Sequence, residues 1–301
     1  MTVNEMLADI KSRRKKKVIL DTDTYNEIDD QYALAYCYLA DSIDLVAVTA
    51  APFENGNSNG FEDGMEKSYA EAKKVLELID PDYNTPVYEG SRNVIEKTGE
   101  AVDSPAARKI IEIVKSSDEP VYVLGIGAIT NVVSAIMIDP SIKENMGVIW
   151  LGGTQLDSIH LGEFNLVQDF PAGQILLNCG VPLLLCPAWS IVSVLISNIE
   201  ITRSLLGHNR ICDYLFEITE NCWKAAGERP DWIRTIWDIA APAIIDCPEC
   251  AEIEVIPAPI FTDSRVYAFD STRHKMLYLK SINRDMVFDA TLNILFNHKD
   301  K

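Results

Sequence analysis

Short apolar runs that end on Asp or Gly alternate along this chain with stretches whose apolar residues recur every three to four positions. The segments KVILDTD, IDLVAVTAA, TPVYEG, PVYVLGIG, GVIWLGG and VPLLLCP read as strands. DDQYALAYCYLA, MEKSYAEAKKVLELI, SPAARKIIEIVKSS, AITNVVSAIMI (capped near Thr130) and PAGQILLNCG (stopped by Gly180) read as helices. Further on, RSLLGHNRICDYLFEITENCWKAAG and IWDIAAPAIID are helical in pattern, and the tail from EVIPAPIFTD to KMLYLKSI is β-rich. Strands separated by helices imply parallel pairing with right-handed crossovers. The expected fold is α/β: a doubly wound, mostly parallel sheet with helices on both faces, residues 1–301 forming one domain. Ligands of such sheets bind at the carboxyl ends of the strands.

Composition narrows the partners. Among 301 residues, 48% are hydrophobic and the net charge is −18. A chain so acidic repels nucleic-acid phosphates and anionic lipid, leaving cations and small neutral molecules as ligands. No segment approaches the roughly 20 apolar residues that span a bilayer. The start carries RRKKK but no apolar secretory core, and the run reads as a solvated lead-in to the first strand. The seven cysteines, odd in number and mostly in apolar stretches, fit reduced thiols in a cytoplasmic protein. Cys247 and Cys250 form a CxxC with no second pair to complete a zinc site, which points to a structural role.

The densest chemistry lies in ILDTDTYNEIDDQ, which holds Asp21, Asp23, Glu27, Asp29 and Asp30. Strand alternation turns Asp21 and Asp23 to one side, and Asp29 and Asp30 open the next helix. Carboxylates this close repel one another unless a cation lies among them, and hard oxygen donors suit Ca²⁺ or Mg²⁺. The spacing is not that of an EF-hand loop. A bland alternative is an acidic loop with a helix cap. A second is a haloacid-dehalogenase-like phosphatase, since DxDxT after an apolar strand resembles that motif, with Asp21 as nucleophile and Asp23 as acid–base; Tyr25 stands where that family has Thr or Val.

VILDTDTYNEIDD more closely resembles the N-terminal signature of the inosine-uridine nucleoside hydrolase family: a DxD, a short turn and a DD. The turn here, TYNEI, is longer than that family's Pro-Gly-x. VYVLGIGAITN resembles its G-P-L-T-N turn, with Ala128 in place of Pro. WLGGTQ and GEFNLVQDFPAGQILL resemble its Gly-rich exit and E-F-N segment, and IWDIAAPAIID resembles its late Asp-bearing helix. The resemblance implies Ca²⁺-dependent hydrolysis of the N-glycosidic bond of ribonucleosides to ribose and a free base. It implies metal ligation by Asp23, Asp30 and Asp238 and by the backbone carbonyl of Ile126, with Asp23 also the base that activates water. Asp29, Glu163 and Asn165 would hold the ribose hydroxyls, Asn55 would stand near the water, and Asp21 would brace the loop. Many members carry a His just before the last Asp; Trp237 stands there instead and resembles the purine-preferring branch, in which indoles stack on the base. Phe53, Trp189, Trp223 and Trp232 are further candidates for an aromatic wall, and His160 is a candidate near the leaving group. Relatives assemble as homodimers or homotetramers. A non-catalytic nucleoside- or sugar-binding homologue is the remaining alternative.

Overall fold

The computed structural model describes residues 1–12 and 14–301. The chain opens with α1 (Val3–Ile10), whose Thr2 and Glu5 form a reciprocal capping box. It then enters β1 (Lys16–Thr22), a strand buried almost throughout. Layers cover it on both sides, so its sequence is a continuous apolar run rather than an alternation.

The winding continues through α2 (Asp29–Leu39), β2 (Ile43–Ala50), α3 (Phe61–Ile79), β3 (Val87–Tyr88), α4 (Ile95–Thr98), α5 (Pro105–Ser116), β4 (Val121–Gly125), α6 (Thr130–Ile138) and β5 (Met146–Leu151). After these come α7 (Phe164–Gln168), α8 (Phe170–Asn178) and β6 (Leu183–Cys186). A two-stranded antiparallel ribbon follows, β7 (Ile196–Asn198) with β8 (Ile233–Thr235), enclosing α9 (Ile199–Arg203) and α10 (Arg210–Ala225). A 3₁₀ turn, Trp237–Ile239, leads into α11 (Ala240–Asp246). The chain ends with β9 (Ala251–Pro257), the small hairpin β10 (Ile260–Phe261) and β11 (Tyr267–Ala268), then β12 (Lys275–Ile282) and α12 (Arg284–Asn297).

The eight-stranded sheet has the order β3-β2-β1-β4-β5-β6-β12-β9. Its neighbours pair in parallel apart from β9, which runs against β12. Successive strand residues feed opposite cores: Val18 and Leu20 pack with α2, α3 and α11, whereas Ile19 packs with α5 and α6. This is the doubly wound α/β sheet expected, with helices on both faces.

Several local expectations change. Helices α1 and α12 were not anticipated, and α3 begins at Phe61, inside the stretch read as loop. Thr130 does not cap α6; Ile129 holds the cap position without a side-chain bond, and Thr130 Oγ1 donates to Asp169 Oδ2 at 2.6 Å. Of the stretch from Arg203 to Gly227 only Arg210–Ala225 forms a helix, α10, while Arg203 closes α9, and IWDIAAPAIID divides into a 3₁₀ turn and α11. The basic run is less solvated than expected. Arg13 lies outside the described residues, Arg14 pairs with Asp9 at 2.6 Å, and buried Lys16 donates through Nζ to the carbonyls of Ser12 and Arg14. Gly180, at φ +74°, does end α8 as expected, taking the left-handed conformation that a side chain disfavours. The seven cysteines form no disulfide among the described residues. Among those residues no helix is long and apolar enough to cross a membrane.

Candidate active site

From β1 the winding runs out to β2 and β3, then returns to β4 on the other flank of β1. The carboxyl ends of β1 and β4 therefore bound a crevice where the strand order reverses. Asp23 follows β1 and Ile126 follows β4, and Ile126 N–H donates to the Asp21 carbonyl at 2.9 Å, holding the two exits together. A cavity of about 240 Å³ opens there. Asp23, Asn26, Glu27, Asp29 and Asp30 line it from the β1–α2 connection, and Ile126 from β4. Leu151, Glu163, Phe164 and Asn165 line it from beyond β5, and Ala188, Trp189, Trp237 and Asp238 from the later chain.

Asp23 is 1% exposed, yet neither carboxylate oxygen has a hydrogen-bond partner. A Cβ at Gly127 would stand 2.9 Å from the Asp23 carboxyl carbon, so the chain can press this close only with glycine there. Asp30 accepts from Thr22 Oγ1, and Asp29 Oδ2 accepts from Trp237 N–H at 3.1 Å. Carboxylate oxygens of Asp29, Asp30 and Asp238 lie within 4.8 Å of one another. Burial, followed by the mutual repulsion of the acids, lifts Asp23 and Asp238 well above the usual carboxylate range and Asp29 to about 8. Burial raises Asp30 to about 6 against the Thr22 hydrogen bond. A buried set of oxygen donors with unused lone pairs, repelling one another, fits a hard divalent cation.

Around the acids the other groups are already anchored. Asn165 donates both amide hydrogens, to the Ile126 and Leu151 carbonyls, each at 3.0 Å, which leaves its Oδ1 for a ligand. Glu163 caps α7, accepting from the N–H groups of Asn165, Leu166 and Gly153 at 2.7–2.9 Å. Burial nonetheless raises it to about 7.

Eight of the expected residues thus line one cavity: Asp23, Asp29, Asp30, Ile126, Glu163, Asn165, Trp237 and Asp238. Asn55 does not. Its amide donates to Asn26 Oδ1 and its own Oδ1 accepts from Asn57 N–H, so Asn26 lines the cavity in its place. The tightest carboxylate trio contains Asp29 where the expected ligand set has Asp23. Asp21 stays off the cavity, its Oδ1 accepting from Thr49 Oγ1 at 2.6 Å and Asn131 Nδ2 at 2.8 Å. That placement denies it the nucleophilic role of the phosphatase reading. Of the aromatic candidates Trp189 and Trp237 line the cavity, whereas Phe53 is fully buried and Trp223 and Trp232 lie off the wall. His160 stands edge-on to Trp189, ring centres 6.1 Å apart. Asn26 and Phe164 were missed, although TYNEI and E-F-N had both been singled out.

Fold and cavity together define a doubly wound α/β protein with an acidic pocket at its switch point. Residues 18–265 match the model of the inosine-uridine preferring nucleoside hydrolase family, and the chain belongs to that family. It is 24% identical over 196 residues to a pyrimidine-specific ribonucleoside hydrolase, RihB, of Escherichia coli (strain SE11), an alignment that takes in 57% of this chain and 59% of that protein. The chain thus spans about three-fifths of the length of the curated relatives it matches. Solved structures agree in fold. A plant nucleoside hydrolase, PpNRh1, superposes with a TM-score of 0.78 at 18% identity, covering 94% of this chain and 99% of that one. An inosine-guanosine nucleoside hydrolase superposes with a TM-score of 0.74 at 15% identity, covering 93% and 98%.

Proposed function

We propose that the protein is a Ca²⁺-dependent ribonucleoside N-glycosidase that leans towards purine nucleosides. The observation that carries this is Asp23: a buried carboxylate with both oxygens unpartnered, facing a cavity it shares with Asp29, Asp30 and Asp238.

In this reading Asp23, Asp30 and Asp238, with the Ile126 carbonyl, would hold the calcium ion, which when bound would offset the acids' repulsion and lower the pKa of a water beside it. Asp23 takes the proton from that water through a free carboxylate oxygen as the water attacks the anomeric carbon. Asp29, Asn165 Oδ1 and Glu163 accept hydrogen bonds from ribose hydroxyls. A sugar lacking one would leave buried polar groups unpaired, so 2′-deoxynucleosides are poor substrates. Positive charge grows on the ribosyl ring as the bond breaks, and the fixed carboxylates stabilise it. Trp237 has no proton to give as an acid; its indole stacks on the departing base, raises the basicity of the purine ring nitrogen so that solvent protonates it, and thereby favours purines. Phe164 and Trp189 complete the aromatic wall. Asn26 takes the place near the water first given to Asn55. A cytoplasmic location, assembly as a dimer or tetramer, and one domain over residues 1–301 belong to the same reading.

The test is release of reducing sugar from inosine, guanosine, adenosine, uridine and cytidine, with calcium and with EDTA. Cleavage that calcium supports and EDTA abolishes is expected, fastest on purines. A calcium-loaded protein that cleaves none of the five is a binding module instead.

A further inference from the structure

The segment that carries Trp237 and Asp238 is not anchored in the main sheet. It is delivered by β8, whose strand partner is β7 in a separate two-stranded ribbon. Such ribbons are marginal by themselves; Ile236 and Ile239 seat this segment in the core, and side-chain ties hold it on the cavity side.

One such tie crosses the cavity mouth. Arg234, in the middle of β8, donates through Nη2 to Glu27 Oε2 and forms an ion pair with it. Glu27 belongs to the TYNEI turn, the connection longer than the family's Pro-Gly-x, and it lines the cavity. The guanidinium carbon also lies 5.7 Å from the Trp237 ring centre, within cation–π range. Arg234 Nε is buried without a partner, so this guanidinium is not saturated by its scaffold. The same stretch reaches the acids again through Trp237 N–H to Asp29 Oδ2. Arg234 and Glu27 therefore join the two parts of the chain that supply Asp29 and Trp237, over 200 residues apart in sequence.

We propose that Glu27 and Arg234 are positioning residues: their ion pair tethers the longer β1–α2 turn to the β7–β8 ribbon and so fixes Trp237 over Asp29 for the nucleoside. The inference rests on the hydrolase reading for its kinetics, but not for its structural readout. Neither side chain moves a proton or contacts the reacting atoms. Their work is to hold the base-side wall at a set distance from the sugar-side acids, where a small misplacement is costly.

The test uses the calcium-loaded 301-residue chain and four variants: Glu27→Gln, Arg234→Met, Arg234→Lys and the charge reversal Glu27→Arg with Arg234→Glu. Each uncharged variant should lower kcat/KM for inosine about tenfold, chiefly through KM. Each should also speed amide exchange in residues 24–28 and 229–237 together. Arg234→Lys should lose less, and the reversed pair should recover part of both losses. Added salt should raise KM in the parent protein and leave it flat in Arg234→Met, because the pair is partly exposed and so partly screened. If Arg234→Met does not fold, Glu27→Gln, at an exposed side chain of the turn, still decides. Parent-like kinetics and exchange in either uncharged variant, or no recovery in the reversed pair, overturn the tether. A parent protein inactive on every nucleoside sinks the hydrolase reading, while the exchange comparison still judges the tether.

Discussion

Two buried aspartates on opposite flanks of the sheet show what separates a scaffold acid from a working one. Asp169 and Asp23 are each 1% exposed. Asp169 sits where α4, α6 and α8 meet, and its oxygens accept from Ile95 N–H, Glu96 N–H, Thr130 Oγ1 and Ala172 N–H at 2.6–3.4 Å. The Asp23 carboxylate accepts from nothing and faces three other acids. One carboxylate is satisfied by the protein itself; the other keeps both oxygens available to a ligand. Burial alone does not distinguish them, whereas the account of each lone pair does.

The sharpest way to break the comparison is exchange of each acid. Asp23→Asn should cut kcat on inosine by about 10²–10⁴-fold, the range for loss of a positioned base, with no loss of melting temperature. A variant that turns over at parental rates would remove Asp23 from the chemistry. Asp169→Ala should do the reverse. It strands several buried N–H donors and should cost about 3 kcal/mol in urea unfolding, while the folded fraction keeps its kcat. If Asp169→Ala were harmless to stability, the contrast would fail from the scaffold side.

A smaller effect separates the base side from the sugar side. Trp237→Ala should reduce kcat/KM for inosine about tenfold more than for uridine, since stacking is worth roughly 1 kcal/mol or more on the larger ring. Equal losses on both would show that Trp237 packs without discriminating.

The mildest expectation concerns pH. Asp21 and Asp30 are pushed up to about 6, Glu163 to about 7 and Asp29 to about 8, all by burial first. Carboxyls in an unfolded chain titrate near their ordinary values of 3.8 for Asp and 4.5 for Glu. With folded values raised, the native state binds more protons than the unfolded one. The stabilisation this gives is complete below the unfolded values and is lost as pH climbs through about 6 to 8. Calorimetry of EDTA-treated protein should therefore show a melting temperature that falls between about pH 5 and pH 8, with calcium restoring most at the upper end. A flat or rising profile would mean that the acids are neutralised by some other route.

Much of this was legible beforehand, and particular residues show where legibility stopped. The parallel strands could be read because burial on both faces forces continuous apolar runs such as Val18–Leu20 and Val148–Leu151. The acids could be read because five of them crowd one strand–helix junction and a sixth, Asp238, lies in a segment resembling the family's. Helix α1 did carry a signal, the Thr2–Glu5 capping box, which the basic run beside it obscured. Helix α12 offered little, its apolar residues being spread around the cylinder rather than gathered on one face. Asn26 and Asn55 differ only in which of two Asn-bearing loops tucks inward, and tertiary packing alone decides that. The pairing of Glu27 with Arg234 joins positions 207 apart, and no local pattern announces it.

The approach of Gly127 to the Asp23 carboxyl has one more consequence. With main chain standing against this acid on one side, an extra methylene at position 23 could extend only into the cavity that Asp23 lines. Replacement by glutamate, the gentlest exchange by charge, should therefore displace the carboxylate into the ligand's space. The shape of the neighbouring turn, more than the demand for a negative charge, would then explain why an aspartate and not its longer homologue occupies this place.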